Sequence, residues 1–198
     1  MGRTPGMPLA VHRLLPSLIG ERRLLNIDDI PFRRIVRWLR TGAEVDRPTE
    51  VTAQWSDDPE ETKAEFPCSD PGAPVLGPEA VAALGGGLAA AGTLLPVHTG
   101  EAKDMYVLLL VEQVVDCLDQ RRSSRPRKRN GEIKQAVFHP EAVPADLAAF
   151  RIPEFRGAVF WNDWAARRLL ELLGDDLEDR LCWSEDRSRR PHPDPWAF

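Results

Sequence analysis

The chain has 198 residues, of which 42% are hydrophobic and 29% charged, and it carries a net charge of −5. That composition excludes global disorder, and the length suits one domain, or one domain with an appended piece. The apolar run Val107–Val111 falls far short of the ~20 residues a membrane-spanning helix needs, so membrane insertion is excluded as well.

Residues 1–20 mix Leu and Pro but are interrupted by His12, Arg13 and Pro16, so they read as an irregular segment and not as a secretory signal. A cytoplasmic location is the expectation that follows. Cys68, Cys117 and Cys182 are odd in number, far apart and without a C-x-x-C pair, which predicts three reduced thiols in place of a disulfide framework or a zinc clamp.

In chain order, the first periodic segment is 31–40, where Ile35, Trp38 and Leu39 share a helical face, Pro31 sits in the first turn and Gly42 follows the end. Residues 51–55 alternate as a strand should, and 57–63 form a solvated acidic stretch. Pro78 opens a second helix with Val81, Leu84 and Leu88 on its apolar face. Gly85, Gly86 and Gly87 either end that helix or are held closed by packing, because each costs about 1 kcal/mol against alanine in a helix interior. The glycines lack the spacing of a phosphate-cradling loop. The run 106–111 predicts a strand covered on both faces, with a buried helix as the alternative, and Val114, Val115 and Leu118 continue the burial.

Residues 119–134 then hold seven basic and two acidic groups, against two and eight in 61–118 and eight and twelve in 135–198. An acidic body therefore carries one basic loop, and Asn130-Gly131 turns it into a predicted strand over 132–138. Phe150 and Ile152 lie on one short strand ending at Pro153, and 157–161 forms another. The clearest helix follows, with Asn162 or Asp163 as cap, Ala165, Leu169, Leu172 and Leu173 as its stripe, and Gly174 past its end. Residues 181–184 read as a last strand, and 187–198 as a flexible tail unless Trp196 or Phe198 docks back.

The order of these segments carries a resemblance. Phe66-Pro67, Pro74-Val75-Leu76, Gly92 to Pro96, Tyr106, Val114-Val115-Asp116-Cys117-Leu118-Asp119, Ser123, Phe150-Arg151-Ile152 and Leu181-Cys182-Trp183 together resemble a bacterial family of polymorphic-toxin immunity proteins. It is the eleventh in the usual naming and was formerly a domain of unknown function. The resemblance spans about residues 64–185. Similar proteins often place a serine where this chain has Gly77, and its arginine-rich loop is longer and more basic. The resemblance implies a protein that protects its own cell by binding a cognate toxin domain, and it brings no catalytic consensus.

Residue chemistry is consistent with that implication. Asp104, Glu112, Asp116 and Asp119 are four carboxylates that could hold a hard cation only if Asp116 and Asp119 shared a helical face; solvated or capping acids are the commoner outcome. The four histidines show no metal-ligand spacing, and no serine-nucleophile motif occurs. The loop cations could neutralise phosphates, but no aromatic lies among them to stack on bases, which disfavours nucleic acid. Trp161, among six tryptophans, is either core or an interface anchor.

The predicted architecture is α+β, a mostly antiparallel sheet with two or three packed helices. It comprises an N-terminal extension over 1–60, a domain over 61–186 and a tail over 187–198. The expected function is stoichiometric occlusion of a toxin domain, with no catalytic residue, cofactor, metal or membrane partner. The candidate contacts are Asp116, Asp119, Arg121, Arg122 and Trp161. A regulatory adaptor without a toxin link, or a small metal-dependent enzyme built on Asp116 and Asp119, are the other readings.

Overall fold

The apolar runs become strands wherever both of their faces can be covered. The structure, a computed structural model, describes residues 8–18, 22–56, 61–70, 72–101 and 105–196. Among these the elements are β1 (Ala10–Pro16), β2 (Arg22–Arg23), β3 (Leu25–Ile27), α1 (Asp29–Thr41), β4 (Val51–Trp55), β5 (Thr62–Lys63) and β6 (Val75–Leu76). They continue with α2 (Pro78–Leu84), α3 (Gly86–Ala91), β7 (Gly92–His98), β8 (Val107–Val111), β9 (Ala149–Ile152), β10 (Phe155–Asn162), α4 (Asp163–Leu173) and β11 (Leu177–Ser184).

Two principal sheets result. A four-stranded sheet runs β11-β1-β10-β9, all antiparallel, and a five-stranded sheet runs β3-β4-β7-β8-β6 with β4 and β7 parallel; β2 and β5 form a separate parallel pair. The fold is α+β as predicted, but in two principal sheets and with four α-helices among the described residues. Leu109 and Val111 of β8 face a core shared with α2, α3 and α4, whereas Leu108 and Leu110 face a second core that includes Ile35, Trp38 and Leu39 of α1. This is the doubly covered strand expected from its unbroken apolar run. Phe138, Phe150, Phe160 and Trp183 build a third core on the other face of the four-stranded sheet, with Phe138 edge-on to the other three rings.

Local chemistry explains several details. Gly77 precedes α2 without a capping side chain, and the Glu65 carboxylate instead accepts the backbone N–H groups of Glu79 and Ala80 at 3.0 and 3.2 Å. A Cβ at position 77 would lie 2.3 Å from Glu65 Oε2, so the cap from Glu65 and the glycine require each other. Gly85, at φ +51°, divides α2 from α3, and a Cβ on Gly87 would fall 2.5 Å from the Trp164 ring. The triple glycine thus serves a helix break and a close approach. Of Asn162 and Asp163, read as alternative caps, Asn162 occupies the N-cap position of α4, but its side chain does not cap: Nδ2 donates to the carbonyls of Pro144 and Leu147.

Three expectations change. Residues 10–16, read as irregular, form an interior strand flanked by β10 and β11, and β3 and β4 extend the second sheet, so these described strands of the N-terminal segment pair into both principal sheets. Residues 1–7 and 19–20 of that segment, and 57–60 of the acidic stretch, lie outside the described residues. Residues 132–138 form no strand, only an isolated bridge between Leu118 and Phe138. In the tail, Trp196 is 8% exposed, set edge-on to Phe155 and Phe160 and under the Arg13 guanidinium; Phe198 lies outside the described residues.

The reason β1 was not legible is its buried polar pair. His12 is 1% exposed, with Nδ1 2.7 Å from Asp179 Oδ1 and Nε2 3.2 Å from Asp163 Oδ1. Both ring nitrogens can donate only when the imidazole is protonated. Burial by itself lowers the His12 pKa, but the hydrogen bonds to Asp163 and Asp179 outweigh it and raise the value above 6.5. Burial likewise raises Asp163, yet His12, Arg189 and Arg167 hold it at about 2. Next along the strand, the Arg13 guanidinium donates to the Pro195 carbonyl at 2.6 Å.

Two predictions follow from these contacts. The stabilisation from protonated His12 is complete below pH 6.5 and is lost as pH rises through its higher folded-state value, while that from Asp163 is present above 3.8 and lost as pH falls toward about 2. The melting temperature should therefore decline on the alkaline side of 6.5, and His12→Gln should remove that slope. Trp196→Ala should cost about 3 kcal/mol in urea unfolding, the usual loss for a buried aromatic.

Candidate functional site

Two surface features concentrate unspent chemistry. One is a cleft of about 460 Å³ where β1 and β10 diverge, for the two strands pair only at Val11 with Asn162 and His12 with Trp161. Arg13, Leu14, Val36, Phe155, Trp161 and Trp196 help to line it. Trp161 forms part of its floor but is only 1% exposed and set edge-on to Phe66 at 6.2 Å. It is a core residue, which corrects its candidacy as an interface anchor: a side chain already covered offers a partner almost no area to bury.

The other feature is the basic loop, and it is built rather than slack. Asp119 Oδ1 accepts the N–H groups of Arg121 and Arg122, both at 3.1 Å, while the Asp119 N–H donates to Val137 at 2.8 Å. Ser123 Oγ donates to the Val137 carbonyl at 3.2 Å and accepts its N–H at 2.9 Å; Ser124 Oγ accepts from the Gln135 N–H at 3.0 Å. Here serine hydroxyls take over positions that backbone partners would hold in a ladder, which is why 132–138 is not a strand. At the far end, Arg127 N–H donates to the Glu132 carbonyl and Gly131 N–H to that of Arg127, each at 2.8 Å, and Asn130 bridges to Glu132.

The predicted contact residues therefore separate by role. Arg121 and Arg122 are exposed and stand together beside a shallow depression of about 480 Å³ that Leu118, Asp119, Gln120 and His139 complete. Asp119 is half-buried and shapes the loop as a cap. Asp116 is exposed, and the stretch around it is extended, with Val114 bridged to Arg151. Asp116 and Asp119 consequently share no helical face; Glu112 is held by Arg47 and Thr93, and Asp104 lies outside the described residues. Among the described residues, no group of three or more His, Cys, Asp or Glu side chains is placed to hold a metal ion. Cys68, Cys117 and Cys182 are free and buried, and burial pushes their thiols up to about 11, 12 and 12, which makes thiolate chemistry at neutral pH unfavourable.

Sequence reasoning found the cations but missed what fixes them. Ser123-Ser124 carries no recognisable motif, and its role depends on Gln135 and Val137 lying opposite. No family model and no curated protein matches the chain. No helix among the described residues is long and apolar enough to cross a membrane.

Ser123→Ala should lower stability by about 1 kcal/mol, the usual net worth of such a bond. It should also speed amide exchange at Val137 ahead of the core strands, measurable by hydrogen–deuterium exchange; unchanged protection there would show that the hydroxyl does not order the loop.

Proposed function

We propose that this chain is a cytoplasmic immunity protein of the kind it resembles, which neutralises a cognate bacterial toxin domain by binding it one to one and covering its working surface. One observation carries the reading. Most of the residues that make the resemblance, among them Phe66, Val75, Leu76, Tyr106, Cys117, Leu118, Phe150, Ile152, Cys182 and Trp183, are buried, whereas the chain's chief departure, the lengthened arginine-rich part of its basic loop, is exposed and held in shape by hydrogen bonds. A common scaffold that varies an ordered, outward-facing loop is the arrangement expected of a protein whose partner differs from one member to the next.

Stoichiometric occlusion needs no turnover, only an interface of ordinary size, roughly 1,600 Å² in total. The acidic body accelerates encounter with a basic partner, and the loop adds orientation. The test is direct. A toxin-like domain encoded beside this chain is purified and assayed with increasing amounts of the protein; activity should fall to background at equimolar ratio. A toxin that keeps full activity at that ratio overturns the proposal, and binding without inhibition would favour an adaptor.

A further inference from the structure

The cations of the loop do two different things. Arg127 is used within the protein, 2.5 Å from Glu132 and 3.8 Å from Asp194. Arg121, Arg122, Arg125, Lys128 and Arg129 are exposed, and among the described residues Arg127 is the one loop cation that makes an ion pair. The loop is nevertheless fixed at both ends by Asp119, Ser123, Ser124 and Asn130. The entropy cost of ordering this backbone is thus met on folding and not on association, which favours binding.

Like-charge repulsion among five close cations opposes that ordered shape unless something relieves it. The body supplies little relief. Outside residues 119–134 the chain has 19 basic and 29 acidic groups, yet the five cations point to solvent.

We propose that this loop is the docking face for a compact acidic patch on a protein partner, with one carboxylate side chain seated on the Arg121 and Arg122 side of the depression, away from His139, whose Nδ1 lies 3.8 Å from Glu141 Oε1. The inference rests on the binding function proposed above and names the chemistry its partner must offer.

Nucleic acid fits the same cations less well, for two reasons. The one Phe, Tyr or Trp among residues 118–139 is Phe138, which is 1% exposed, so the His139 ring is the one exposed aromatic this segment offers for stacking. The positive footprint is also short. Asp116 and Glu141 are exposed close by in sequence, on either side of the segments that form the depression. A duplex with a charge about every 1.7 Å would continue past the loop onto such carboxylates, whereas an acidic patch on a folded protein can end where the cations end.

The experiment uses the full chain and three fluorescent probes of equal charge: an oligoglutamate peptide, a single-stranded oligonucleotide and a duplex. Binding is followed by polarisation from low to physiological salt. Oligoglutamate should bind more tightly than either nucleic acid and weaken steadily with salt. The triple variant Arg121→Glu, Arg122→Glu, Arg125→Glu should lose at least about tenfold in affinity with an unchanged melting temperature. Lys128→Glu with Arg129→Glu should weaken binding in the same direction.

Tighter binding of either oligonucleotide, no oligoglutamate binding at low salt, or wild-type affinity in both variants would overturn the proposal. Sedimentation at low salt should show a monomer; a dimer lost in the triple variant would identify the acidic body of a second copy as the occupant and overturn it too. No toxin enters this assay, so failure here leaves the neutralisation test standing, and failure of that test leaves this one interpretable.

Discussion

The constraint on which this fold depends is the insertion of β1 between β10 and β11. The four-stranded sheet is closed only when residues 10–16 lie between strands about 150 to 170 residues further along the chain. Such pairing is non-local, and it has to be supported by contacts strong enough to offset the closure of a long loop. His12 supplies the central one: a single imidazolium holds a carboxylate from β11 on one nitrogen and one from the start of α4 on the other. Arg189 and Arg167 close on the same Asp163, so the helix, the sheet and the tail meet at one buried charge. Breaking such a pair on one side leaves an uncompensated ion, which is why it is costly to lose even where it adds modest net stability.

Arginine has two separate uses in this protein. Arg151, 4% exposed, lies under the Trp38 ring and donates to the carbonyls of Leu39 and Arg156 at 3.3 and 3.2 Å. It thereby sits at the carbonyl end of α1, where the helix dipole favours a cation. Burial is the main cause that lowers its pKa to about 10, still well above neutrality, so the charge persists. Arg13 and Arg180 converge on the Pro195 carbonyl and hold the tail. These side chains make the interior, while those of the basic loop remain at the surface. The distinction is one of partners and not of residue type.

Periodicity reveals elements whose apolar residues are buried by near neighbours. The face of α1, the stripe of α4 and the doubly covered β8 all follow from spacing, because 3.6-residue and unbroken apolar patterns need no knowledge of distant chain. β1 defeats the same reading. His12 and Arg13 look like surface residues, and they are buried because Asp163, Asp179, Pro195 and Trp196 arrive from the other end. Residues 132–138 fail in the opposite sense: Ile133, Ala136 and Phe138 are buried, but not all at the two-residue spacing of a strand, and two serine hydroxyls occupy hydrogen-bonding positions opposite them. Within the candidate site, the exposure of Arg121 and Arg122 was legible from charge alone. The capping role of Asp119 and the burial of Trp161 required the fold.

The interleaving of β1 also changes what a cut in the chain would mean. A trypsin-like protease would find Arg125 to Arg129 exposed, on a segment that joins the two halves of the sequence. Nicking there would not free a domain, because the first fragment would still hold β1 and the second would hold β10 and β11 on either side of it. The severed protein would remain a single interlocked body, its two pieces joined by a sheet in place of a peptide bond.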